Sequence, residues 1–218
     1  MDVREESKIN FERDTANHKM TVLKDDGLYR HLRFKKEGNS CYWFDIITWP
    51  GCLTINGDMG TYTFARNEDM FGFFRTDKGE INPGYWAEKL LVGSGSGRDM
   101  AEQFDADKFE RETKRIIVEW MRENRDFISK EDRRELWGNF QTDVLDEENE
   151  RMLEAAYGFQ FRFDAMHKNH EEDGPEEFQF QDLWEYNFKE WTTHYLWNLH
   201  AIVWAIKQYD QYKCEAAK

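Results

Sequence analysis

Four stretches of this sequence hold residue types that do chemistry. His167 and His170 run directly into Glu171, Glu172 and Asp173, so imidazole and carboxylate ligands for a divalent cation lie close together. No second cluster completes a tetrahedral or facial site, and Gly174-Pro175 beside it marks a solvated connection. Gly93-Ser94-Gly95-Ser96-Gly97 matches the letters of a nucleophile elbow and resembles a phosphate-cradling loop. Both devices need a buried strand before the glycines and a helix after them; here a helix is expected before them, and the Lys-Ser/Thr pair of a nucleotide loop is missing. The stretch reads as a linker. Asp45, Asp58 and Asp69 fall in one strand-rich region, but in a chain with 44 acidic residues a carboxylate pair is weak evidence for hydrolysis, and Asp69 suits a helix N-terminus. His194 and His200 lie six residues apart, about 600° of helical rotation, and so do not form the i, i+4 pair of a zinc helix. No catalytic, cofactor or metal residue is assigned and a non-enzymatic protein is expected; a small metal-dependent enzyme using His167 and His170 stays open.

Composition narrows the class. The 218 residues carry 30 basic and 44 acidic side chains, a net charge of -14, yet 16% of them are aromatic. That much ring surface is absent from disordered chains, so an aromatic-rich core is expected. The acidity is uneven: residues 1–84 hold 12 basic and 14 acidic side chains, residues 85–218 hold 18 and 30. A field of that sign repels nucleic acid, and alternation along a strand divides the one basic cluster, Arg30, Arg33, Lys35 and Lys36, between two faces. Cys41, Cys52 and Cys214 are odd in number and form no C-x-x-C pair, which fits a reducing cytoplasm. No apolar run reaches the roughly 18 residues of a membrane span, and the opening segment lacks signal-peptide character.

The elements follow from periodicity. Met20–Lys24, Leu28–Lys36, Cys41–Trp49, Cys52–Asn56 and Thr61–Arg66 are short β-branched and aromatic runs between turn residues, the pattern of an antiparallel meander. Helices are expected at Glu68–Arg75 with Asn67 as cap, at Tyr85–Val92, Asp105–Asn124, Lys130–Phe140 and Asp143–Tyr157, with one strand at Gly158–Met166. The longest helix is expected from Asp182 to about Tyr212, because Phe188, Trp191, Tyr195, Leu199, Ile202, Ile206 and Tyr209 share one face; Trp197 and Trp204 lie on another. A helix apolar on two sides is either central to its domain or contacts a second protein. The fold class is α+β: a β-meander with packed helices over 1–92, a Gly/Ser linker over 93–104, and an acidic helical region over 105–218.

The strings His31-Leu-Arg-Phe34, Tyr42-Trp-Phe-Asp-Ile-Ile-Thr-Trp-Pro-Gly51, Gly57-Asp-Met-Gly60, Asp69-Met-Phe71, Tyr85-Trp-Ala-Glu-Lys89 and His200-Ala-Ile-Val-Trp-Ala-Ile-Lys-Gln-Tyr-Asp210 resemble a widespread family of small proteins of tailed bacteriophages and prophages. The resemblance extends to phage inhibitors of bacterial antiviral defence, most closely the anti-Gabija proteins. It implies a stoichiometric inhibitor in the host cytoplasm that binds a defence nuclease complex and blocks nucleic-acid engagement; a homo-oligomer is expected, and the charge and the lack of a long apolar run lead to the expectation of no direct contact with nucleic acid or membrane.

The residues themselves suit protein binding, because surplus Trp and Tyr anchor interfaces and an acidic surface steers toward a basic partner. The candidate partner-binding residues are Glu171, Glu172, Asp173, Glu176, Glu177, Trp197 and Trp204. An acidic nucleic-acid mimic is the second open reading.

Overall fold

Strand alternation decides which side chains meet. β1 (Lys19–Asp26), β2 (Tyr29–Lys35), β3 (Phe44–Trp49), β4 (Cys52–Gly57) and β5 (Gly60–Ala65) pair in sequence order as the antiparallel meander expected. Gly27, Gly51 and Gly60 take positive φ at three of its turns, a conformation that glycine alone adopts without strain. On one face the register lines up Leu32, Ile46, Ile55 and Tyr62, with Phe34 beside Phe44 in the next row. That face is buried; the other carries His31, Arg33, Asp45, Thr54 and Thr63. In this computed structural model, which describes residues 2–92, 100–163 and 174–216, the chain forms two units.

The first unit comprises Met1–Gln103 and Trp191–Lys218. Its core closes when helix α7 (Thr193–Ala216) lies on the buried face, with Tyr195, Leu196, Trp197, Leu199, Ile202 and Ile206 all inside. The wide apolar girth of α7 therefore marks a central helix. The first cut, after Gln103, falls within the expected linker span 93–104, of which residues 93–99 lie outside the described residues; the expected single C-terminal region 105–218 is corrected, since α7 belongs with the meander. The helix also starts at Thr193, so Phe188 and Trp191 precede it.

Helix α1 (Val3–Thr15) has no counterpart among the expected elements. Its residues lack an amphipathic stripe, and tertiary contact supplies what pattern does not: Phe11 meets Trp197 edge-on at 5.2 Å and Trp204 at 6.0 Å. Asp2 caps it by accepting from the Arg4 amide. Helix α2 (Met70–Phe74) is shorter than expected, and Asp69 caps it in place of Asn67. Helix α3 (Pro83–Ala87) ends early, so the expected helix through Val92 gives way to β6 (Leu90–Val92), which pairs with β5.

The second unit is Phe104–Glu190. The chain passes through β7 (Glu102–Phe104), α4 (Ala106–Glu123) and α5 (Lys130–Phe140), the latter opened by a reciprocal cap between Ser129 and Asp132. The expected helix at Asp143–Tyr157 is broken: a π turn over Gln141–Leu145 is followed by Asn149 at φ 48°, then α6 (Glu150–Gly158). β8 (Gln160–Arg162) pairs with β9 (Glu177–Gln179), a 3-10 turn spans Leu183–Glu185, and β10 (Lys189–Trp191) pairs with β7. A second aromatic core fills this unit, built on Phe109, Phe140, Phe159, Phe163, Phe178 and Phe188. Among the described residues no helix is long and apolar enough to cross a membrane.

Two stability predictions follow from the first unit. Gly57 pairs with Phe44, and a Cβ there would collide with the Trp43 carbonyl oxygen and come within 2.7 Å of the Phe44 Cα. Gly57→Ala is expected to cost about 2 kcal/mol or more in urea melts. His200 is 9% exposed and its Nε2 has no hydrogen-bond partner among the described residues; burial, aided by the charge of Lys8, lowers its pKa to about 4. The unfolded chain therefore binds a proton that the folded chain does not, so this contribution to stability is fully present above pH 6.5 and is lost as pH falls toward 4, on the order of 3 kcal/mol in all. Wild type and His200→Phe, melted across pH 4 to 7, should differ in the slope of stability against pH.

Candidate functional site

The expected partner-binding residues belong to two units, Glu176 and Glu177 to the second and Trp197 and Trp204 to the first. Glu171, Glu172 and Asp173 lie outside the described residues, as do His167 and His170. Glu176 is exposed, whereas Glu177 faces Arg162 across the β8–β9 pair at 3.4 Å. Trp197 is buried, against its expected role at an interface, and Trp204 is half-buried. Trp197 is 1% exposed, meets Phe44 edge-on at 5.7 Å and donates its indole N–H to Asp14; Trp204 is half-buried against Phe34 at 5.3 Å. Their spacing of seven placed them on one helix face, but α7 is surrounded, and that face packs on α1 and the sheet instead of a partner.

Asp45, Asp58 and Asp69 hold separate positions with separate work. Asp58 accepts from the Tyr42 amide at 2.6 Å, which supports a residue at φ 59°. Asp69 caps α2 and takes both terminal nitrogens of Arg30, at 2.9 and 3.2 Å. The Arg30 guanidinium lies over the Phe71 ring at 4.5 Å, so the basic cluster is divided as alternation requires: Arg30 packs here while Arg33 and Lys35 face the open side of the sheet. Asp45, on that open face, accepts two bonds from Arg33 at 2.8 and 2.7 Å and shares a 2.9 Å bond with His31. Burial alone would raise the Asp45 pKa, but the bonds from Arg33 and His31 outweigh it and hold the carboxylate below its usual range. Such a group is an ionised anchor whose oxygens are already engaged by Arg33 and His31, and the lowered pKa makes it a weak proton acceptor. Among the described residues no group of three His, Cys, Asp or Glu side chains is placed to hold a metal ion.

The second unit presents the feature that stands out for binding. Trp184 is 71% exposed and Tyr157 54% exposed, and both line a cleft of about 490 Å³. Local structure explains the display. Asp182 takes a left-handed conformation, Leu183 is buried as the pin of the 3-10 turn, and the next residue, Trp184, is thereby turned outward. Behind it Tyr186 stacks on Phe188, 5.7 Å apart with ring planes 9° from parallel, and Arg115 reaches the Tyr186 hydroxyl. From α6, which buries Ala156 and leaves Tyr157 out, Leu153 and Glu150 also line the cleft. Exposed carboxylates flank Trp184 in the chain at Asp182 and Glu185. The arrangement offers two large exposed rings, with Glu150 and Lys189 as the charged residues of the lining, and such rings are what anchors an interface centre.

Sequence reading missed Trp184 and Tyr157 because it placed both inside helices. The one available signal was Thr192, a capping residue, which moves the start of α7 past Trp184. Comparison with protein-family models, with curated proteins and with solved structures finds no match to this chain.

The two kinds of tryptophan should separate on mutation. Trp184→Ala is expected to change stability by less than about 0.5 kcal/mol, and Trp197→Ala to cost about 3 to 5 kcal/mol, read by thermal melts.

Proposed function

We propose that this protein works by binding another protein, and that its partner is a nuclease complex of bacterial antiviral defence, held stoichiometrically in the host cytoplasm so that nucleic acid cannot engage. The observation that carries binding is the exposure of Trp184 and Tyr157 in one cleft. Leaving a Trp 71% exposed keeps apolar surface in water, and removing such a ring from a partner's pocket typically costs 2 kcal/mol or more of affinity. The choice of partner rests on the resemblance to tailed-phage proteins. A nuclease suits the charge as well, because nucleic-acid channels are basic and the second unit is acidic: 13 Lys and Arg against 25 Asp and Glu lie within residues 104–190.

That surplus also favours the second reading, a nucleic-acid mimic whose carboxylates sit in the channel itself. The two differ in salt response. A mimic loses affinity steeply as salt rises, whereas binding centred on Trp184 is driven mainly by ring burial and declines only gradually.

Tagged protein should retain a defined nuclease complex from a lysate of defence-positive bacteria, with homo-oligomeric stoichiometry in the mass of the eluate. Trp184→Ala/Tyr157→Ala, with an unchanged melting temperature, should weaken that retention by thirtyfold or more. Wild-type protein that emerges alone, or a nuclease fully active at saturating inhibitor, overturns the reading.

A further inference from the structure

The acidic second unit contains one groove of the opposite sign. Val118, Met121, Arg122 and Arg125 follow the spacing i, i+3, i+4, i+7 along α4 and the residues just beyond it. Lys130, Arg133, Arg134 and Trp137 repeat that spacing along α5. The two stripes face each other across an open groove of about 630 Å³, with Val118, Met121 and Trp137 as its apolar lining and five cations around them.

These cations differ from three others on α4. Arg111, Lys114 and Arg115 are each matched to a glutamate at 112, 110 or 119. Among the described residues, Arg122, Arg125, Lys130 and Arg133 meet no carboxylate within ion-pair distance, and Arg134 has only Glu131 at 4.0 Å. Arg133 turns instead to the Arg125 carbonyl, which draws the two rims together. Three of the five sit in the opening turns of α5, where the helix dipole disfavours positive charge. Concentrating unpaired cations there works against the stability of the unit, so the arrangement fits a ligand that supplies the missing negative charge.

We infer that the α4–α5 groove is a docking site for a short acidic amphipathic segment of a partner protein, whose apolar side covers Val118, Met121 and Trp137 while its carboxylates meet the arginines. Four of the five cations are Arg, whose planar donors engage carboxylates in pairs. The apolar lining selects against a purely charged ligand. A nucleic-acid strand, with a phosphate at every nucleotide, extends past the groove into the field of the surplus acids, whereas a segment of a few turns keeps its charges within the rims. The groove shares no lining residue with the Trp184 cleft, and its test uses no nuclease, so either reading can fail without the other.

The probe is a fluorescein-labelled 18-residue peptide with Leu at i, i+3/i+4 spacing flanked by Glu, titrated into the full chain and read by anisotropy. Saturable binding is expected, weakened at least tenfold by Arg122→Glu/Arg134→Glu and several-fold by Val118→Ser. Arg125→Gln/Arg134→Gln serves should the charge reversal unfold the chain, and circular dichroism checks both. Absence of binding overturns the inference. So does equal binding of an 18-residue polyglutamate, tighter binding of an 18-nucleotide oligo(dT), or a wild-type dimer that the reversal converts to monomer, which would assign the groove to a second copy of this chain.

Discussion

Everything in the first unit depends on one burial: the apolar face of a five-strand meander against a helix that is itself apolar almost all round. Tyr195, Trp197, Leu199, Ile202 and Ile206 take the place of water over Leu32, Phe34, Phe44, Ile46 and Ile55. Burial at roughly 25 cal/mol per Å² makes this the dominant favourable contribution, and the polar contacts around it fix orientation more than they add stability. Tyr209 and Lys213 both reach Asp25, Arg75 holds Asp210 with two 2.9 Å bonds, and the Tyr195 hydroxyl donates to the Pro83 carbonyl. Each of these ties α7 to a different segment, which sets the helix in one register over the sheet.

The sheet's two faces then divide the labour. The inner face is hydrocarbon and ring, while the outer face is closed by paired polar groups: Thr54 with Thr63, and Asp45 with Arg33 and His31. Asp45 can be 4% exposed only because both neighbours supply donors. The second unit follows a different plan, a cluster of Phe rings in edge-on contact, such as Phe109 with Phe188 and Phe161 with Phe163, under short helices. Its interior is filled mainly by rings, with Ile117, Leu136 and Val144 between them, and its surface charges differ from place to place.

The meander was legible because turn chemistry and alternation agree. Pro50-Gly51 and Gly57–Gly60 could only be turns, and the strands between them had nowhere else to begin. α5 was legible to the residue because Ser129 and Asp132 mark its start. Helix α1 was not, since Phe11 is its one large buried side chain and its partners come from the far end of the chain. The same distance hid the site. Periodicity placed Trp197 and Trp204 on a common face but held no information on what would cover it, and Trp184 owes its exposure to a single left-handed residue, Asp182, which no pattern announces.

The order of segments along the chain has a consequence for synthesis. The five main strands are complete by Ala65, but the helix that covers them begins only at Thr193, after the whole second unit. At roughly 5 to 20 residues per second, the inner sheet face waits on the order of ten seconds for its cover, uncapped at Phe34, Phe44 and Phe64. The second unit, contiguous in the chain, can finish first. A nascent chain of this protein therefore passes through a stage at which its inserted part is folded and its framework is an open, sticky sheet, the stage at which a chaperone has most to protect.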